Sequence, residues 1–186
     1  MMEELSLHVL DLMENSLAAG ASFLELRIIE DPRTNRMVLE LTDNGKGMSE
    51  EEAQAALNPF FTTRTTRRVG LGLSLFKATA EQCGGTLSLT SRPGKGTRVV
   101  VTLELDHVDR PPLGNMGATI AAVLGREELG ELRYYHRRGD EVFEFSTSWL
   151  KQHLGNTPFN LAPVLQWVEN YINRGIRALH GGEESL

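Results

Sequence analysis

Three stretches of this 186-residue chain carry side chains and spacings suited to chemistry. The first is Asp43-Asn44-Gly45-Lys46-Gly47-Met48. A carboxylate there can accept a hydrogen bond from an amino group, and glycines at alternate positions let the backbone take φ > 0 and approach a ligand. Asn-Gly is also a common turn dipeptide, so a plain turn explains the same residues. The second is Asp11 and Asn15, an i,i+4 pair that shares one helix face with His8. A solvated polar face has the same composition. The third is Gly70-Leu71-Gly72-Leu73-Ser74, entered from Asn58 to Val69 with its four threonines and three arginines. Glycines at a helix start beside cations and hydroxyls suit an anion, because free N–H groups and the helix dipole converge there.

Each stretch needs an element to hold it. Met37 to Thr42 alternates apolar and polar residues and is expected to be a strand that delivers Asp43. Ser49 with Glu50, Glu51 and Glu52 starts a short helix through about Leu57. Glu4 to Ala19 is expected to be helical, with Leu5, Val9, Leu10, Leu12, Met13, Ser16 and Leu17 on one face and Gly20 ending it. Phe23 to Glu30 pairs across an Asp-Pro turn with the strand at Met37. The helix opened by Gly70 runs to about Gln82, and Gly84-Gly85 ends it. Thr86 to Ser91 and Thr97 to Leu105 form a hairpin around Arg92 to Gly96. This order predicts an α+β fold: a two-layer sandwich of a mixed, largely antiparallel sheet with helices on one face.

Residues 1–107 would form that unit. Beyond the Pro- and Gly-bearing linker Asp109 to Gly114, residues 113–180 read as a small α+β C-terminal region. A helix is expected at Met116 to Leu124, a hairpin around Arg137 to Asp140, and helices at about Ser148 to Leu154 and Ala162 to Leu179. The last of these has an apolar stripe of Leu165, Val168, Ile172 and Ile176, which needs a surface. The C-terminal region is therefore expected to bind a protein partner or to form a homodimer.

The formal net charge of −6 argues against general affinity for nucleic acid or an anionic membrane surface. The single cysteine, Cys83, excludes an internal disulfide and reads as a buried thiol. No apolar run reaches about 18 residues, and no signal peptide stands out, so the expected location is the cytoplasm.

Taken together, the motifs resemble the GHKL superfamily of ATP-binding domains (the Bergerat fold), which includes sensor histidine kinases and MutL-type mismatch-repair ATPases. Leu12 to Ala21 resembles its N box and Asp43 to Gly47 its G1 box. Pro59 to Arg64 and Gly70 to Ser74 resemble its F and G2 boxes, and Gly94 to Thr97 the segment closing the nucleotide pocket. The resemblance covers about Leu5 to Leu105. It implies ATP and Mg²⁺ as ligands. Asp43 would bind the adenine amine, with Gly45 and Gly47 curving around the base and Thr97 supporting the contact through its hydroxyl or a water. Asn15 would hold Mg²⁺. Asn58 to Val69 would be a mobile lid, and Met48, Phe60, Thr63 and Arg64 would join the nucleotide site. The N–H groups of Gly70, Leu71, Gly72 and Leu73 would cradle phosphates, with Arg64 or Lys77 as cation.

Two departures qualify the resemblance. Where hydrolytic members carry a Glu that polarises the attacking water, this chain has Asp11, one methylene shorter and the candidate catalytic residue. The dimerisation hairpin with the phosphate-accepting His of sensor kinases is not expected, because the sequence opens a few residues before the N box. The expectation is thus a stand-alone regulatory protein, either a slow ATPase or a protein kinase acting in trans. The alternative is a non-catalytic interaction module with a structural nucleotide pocket, associated with a redox, hydrogenase-like complex.

Overall fold

The computed structural model of the chain describes residues 4–58 and 71–182. Its elements follow the order α1 (Leu5–Ala18), β1 (Phe23–Asp31), β2 (Arg36–Asp43), α2 (Glu50–Ala56), α3 (Leu71–Gln82), β3 (Thr86–Ser91), β4 (Thr97–Glu104), α4 (Met116–Leu124), β5 (Glu131–Arg138), β6 (Glu141–Ser146), α5 (Thr147–Leu154) and α6 (Ala162–Leu179). The strands form one sheet in the order β3-β4-β2-β1-β5-β6. Four pairings are antiparallel, and β1 with β5 is parallel, so the sheet is mixed. This is an α+β chain consistent with the Bergerat ATP-binding fold.

Alternation decides which face each strand buries. Leu24, Leu26, Ile28 and Glu30 point inward from β1, and Met37, Leu39, Leu41 and Asp43 from β2. The register pairs Leu24 with Asp43 and Ile28 with Leu39, so a one-residue slip would turn the whole apolar set to solvent. At the hairpin tip, Asn35 takes φ 51°, which its short polar side chain tolerates.

The helical layer covers the inward face. From α1, Leu5, Val9, Leu12, Met13 and Leu17 enter a core shared with Phe76 of α3 and Val99, Val101 and Leu103 of β4. Full burial of each large apolar side chain contributes about 1.5–3 kcal/mol. His8 departs from the expected polar face. It is buried, stacks on Phe76 with ring centroids 4.4 Å apart, and lies 3.3 Å from Thr79 Oγ1. Burial lowers its pKa to about 4, so the ring is neutral. Ser49 and Glu52 form a reciprocal capping box at the start of α2.

Residues after 113 share this sheet and this core. β5 lies against β1, and Met116, Ile120 and Val168 belong to the same buried cluster as Leu5 and Met13. Leu5 and Ser6 N–H donate to the Pro112 and Leu113 carbonyls at 2.9 Å, which ties the start of α1 to the linker. α6 buries Val164, Val168, Ile172 and Ile176, while Leu165 is only partly buried. Among the described residues, no helix is long and apolar enough to cross a membrane.

Candidate functional site

The candidate site is built along α1. At one end, β2 delivers Asp43 beneath the helix, and the residue is 8% exposed. Ser16 Oγ donates to Asp43 Oδ2 at 2.6 Å, and the Gly45 and Thr97 N–H groups donate to Oδ1 at 2.8 and 3.2 Å. An ionised carboxylate has about four acceptor positions, and donors from the described residues take three of them.

The loop after Asp43 is clamped between α1 and the β3–β4 turn. Lys46 N–H donates to Ala19 O, and Gly94 N–H to Lys46 O. Met48 N–H donates to Ser91 Oγ at 2.8 Å. Gly47 has φ +68°, and a Cβ there would lie 2.0 Å from Arg92 O. Gly96, at φ +81°, faces Asp43 O just as closely. Only glycine fits both the conformation and the space at these two positions. Asn44 turns the other way, accepting from the Ser22 and Phe23 N–H groups at 2.9 Å.

At the other end, Asp11 and Asn15 meet the start of α3. Asn15 Nδ2 lies 3.5 Å from Asp11 Oδ2, and among the described residues the carboxamide oxygen of Asn15 has no hydrogen-bond donor. A Cβ on Gly72 would sit 1.5 Å from Asp11 Oδ2, which puts the carboxylate directly on the first turn of α3. Among the described residues α3 begins at Leu71, and the first N–H groups of a helix lack intrahelical acceptors. Burial raises the Asp11 pKa, opposed by the Asn15 hydrogen bond and reinforced by Glu14.

The structure thus gathers Asp43, Gly45, Gly47, Met48 and Thr97 at one end and Asp11, Asn15, Leu71, Gly72 and Leu73 at the other. From Asp11 to Ser16 the helix rises about 7.5 Å. Thr97 reaches Asp43 through its main chain; its hydroxyl lies 2.9 Å from Ser91 Oγ. Lys77 pairs with Glu81 at 3.7 Å, one turn further along α3. Phe60, Thr63, Arg64 and Gly70, and the expected lid from residue 59 onward, lie outside the described residues.

Sequence reasoning passes over Ser16 and Ser91, while Gly96 lies in the Gly94 to Thr97 segment expected to close the pocket. In the sequence Ser16 falls on the apolar stripe of α1 with Leu12 and Met13. A hydroxyl in such a stripe needs a buried acceptor, and that was the available signal.

Among the described residues, no group of three or more His, Cys, Asp or Glu side chains is placed to hold a metal. A separate open cleft of about 500 Å³, lined by Arg27, Arg133, Tyr135, Glu144 and Trp149 among others, contains none of the motif residues.

Comparison with known proteins adds to this geometry. Residues 3–107 match the family described as histidine kinase-, DNA gyrase B-, and HSP90-like ATPase. The sensor histidine kinase ZraS of Escherichia coli O157:H7 is 36% identical over 76 residues, covering 41% of this chain and 16% of that protein. The non-motile and phage-resistance protein of Caulobacter vibrioides is 31% identical over 111 residues, covering 55% of this chain and 13% of that protein. These matches therefore span 16% and 13% of the two relatives' lengths. The crystal structure of the N-terminal domain of a DNA repair protein superposes with a TM-score of 0.49 at 17% identity, covering 77% of this chain and 52% of the other.

Proposed function

This chain belongs to the histidine kinase-, DNA gyrase B-, and HSP90-like ATPase family, and we propose that it is an ATP-binding regulator that turns its nucleotide over slowly. ATP is the ligand the family implies. The reading is carried by one observation: α1 links a nearly saturated buried carboxylate, Asp43, to a second carboxylate, Asp11, lying against Gly72 on the first described turn of α3.

In this reading the adenine amine donates to the remaining acceptor position of Asp43. Guanine presents a carbonyl at that point, and two acceptors repel. The phosphates lie toward the α3 N-terminus, where free N–H groups and the dipole favour anions. Asn15 offers its carboxamide oxygen to Mg²⁺, a hard cation that neutralises phosphate charge and takes few protein oxygens. Asp11 orients the attacking water. Its side chain is shorter than that of Glu, and a misplacement of about 1 Å can cost ~10²-fold in rate. Slow turnover suits a switch. Residues 113–180 are the partner-facing part in this reading, because Trp167 and Leu161 remain 46% exposed there.

Isothermal titration with ATP and GTP, with and without Mg²⁺, tests the reading. ATP should bind at least ~10-fold more tightly than GTP, about 1.4 kcal/mol. Equal affinities would remove Asp43 from base recognition. A second reading, phosphotransfer to a protein in trans, is favoured by the likeness to the sensor histidine kinase ZraS. Label from γ-labelled ATP appearing on a protein rather than as free phosphate distinguishes the two.

A further inference from the structure

Far from α1 in sequence, a group of polar side chains gathers under the end of the C-terminal helix. Glu30, on the inward face of β1, is 4% exposed. Its Oε1 lies 2.7 Å from His136 Nε2 of β5. Its Oε2 lies 3.2 Å from Nε2 of His180, the C-cap residue of α6, and also accepts from Arg138 of β5. Tyr134 Oη lies 2.7 Å from the other nitrogen of His136. Among the described residues, the charged and titratable groups facing His180 are therefore Glu30 from β1 and His136 and Arg138 from β5.

The two imidazoles are in different states, and their partners show it. His136 meets one carboxylate and one hydroxyl. The hydroxyl can donate, so a neutral ring satisfies both contacts. His180 meets two groups that only accept: the Glu30 carboxylate and, 2.9 Å from Nδ1, the Ile176 carbonyl. Both contacts are hydrogen bonds only when the ring carries both protons. Glu30 does not supply the missing proton. Burial pushes its carboxyl up, but the His136 and His180 hydrogen bonds outweigh that and hold it far below the usual carboxylate range.

We infer that the end of α6 is a pH-operated latch: the His180 imidazolium clamps the last helical turn to β1 through Glu30, and loss of one ring proton releases it. Deprotonation sets a lone pair against either Glu30 or the Ile176 carbonyl. The released part is short. Upstream, α6 stays anchored by Val164, Val168, Ile172 and Ile176. Downstream, Gly181 and Gly182 take φ 70° and 82° and close a Schellman cap, with Gly182 N–H donating to Arg177 O at 2.8 Å. The Glu30 hydrogen bond raises the His180 pKa above 6.5, against the opposing effect of burial. A raised folded-state pKa means the latch contributes fully below about pH 6.5 and is lost as pH climbs through the folded value.

The test is nuclear magnetic resonance on the full chain. The His180 ring is titrated from about pH 5.5 to 8.5, while amide protection factors are followed for residues 177–182. His180 should titrate above 6.5, and protection of the last turn should fall several-fold over the same interval. The variant His180→Gln assigns the ring signal and should show no pH dependence at that turn. Titration at or below 6.5, a last turn indifferent to pH, or the same pH dependence in His180→Gln would each overturn the latch. If the variant does not fold, the wild-type titration and protection profile decide alone.

Discussion

Asp43 and Asp11 are both carboxylates beside α1, and they are held in opposite ways. Asp43 accepts from Ser16, Gly45 and Thr97, and its loop is clamped by glycine contacts on the β3–β4 turn. Among the described residues Asp11 has one long hydrogen-bond contact, with Asn15, and it rests on the first turn of α3. The difference separates two tasks. A carboxylate fixed by three donors can discriminate the edge of a ligand but has little freedom to change partner. A half-buried carboxylate with a raised pKa and spare acceptors can exchange a proton or orient water.

The largest way to break this contrast is to unclamp the Asp43 end. Gly47→Ala meets both a left-handed φ and Arg92 O, and should cost ~3 kcal/mol in thermal or denaturant unfolding. Gly20→Ala sharpens the comparison: φ is +79° but the space is open, so only backbone strain of ~1 kcal/mol remains. Equal losses would show that close packing on the turn is not what matters. Next comes Asp43→Asn, which replaces an acceptor-only group with one that must also donate. ATP affinity measured by titration calorimetry should fall by at least ~1.5 kcal/mol, the scale of a charge-assisted hydrogen bond. Wild-type affinity would place the adenine elsewhere. Ser16→Ala removes one of the three donors and should weaken ATP binding by about 1 kcal/mol. An affinity unchanged by that loss would show that Asp43 is fixed by its backbone donors alone.

Much of the local structure could be read from the sequence, and the reason is short-range chemistry. The strand at Thr86–Ser91 and the helix at Met116–Leu124 have the bounds their alternation and periodicity predict. The Asp43 loop was visible because φ > 0 and close approach select glycine, as Gly47 shows. Non-local partners left no such mark. Nothing in Leu132 to His136 says that it pairs parallel with β1, because that contact is set by the packing of the whole layer. His8 looked polar among its helix neighbours, yet Phe76, 68 positions later, stacks on it. Glu30 likewise looked like the end of a strand, and only the return of β5 and α6 shows what its carboxylate meets.

The central claim is that Asp43 binds and Asp11 reacts. Steady-state phosphate release at saturating Mg-ATP tests it most directly, comparing wild type with Asp11→Asn and reading the ATP Kd beside it. Asp11→Asn should bind ATP nearly as wild type does while losing most of its turnover, because only the base is removed. The wild-type rate should rise with pH through a pKa above the ordinary Asp value of 3.8, and that limb should vanish in the variant. An Asp11→Asn protein that releases phosphate at the wild-type rate would contradict the claim and return Asp11 to a structural or solvated role.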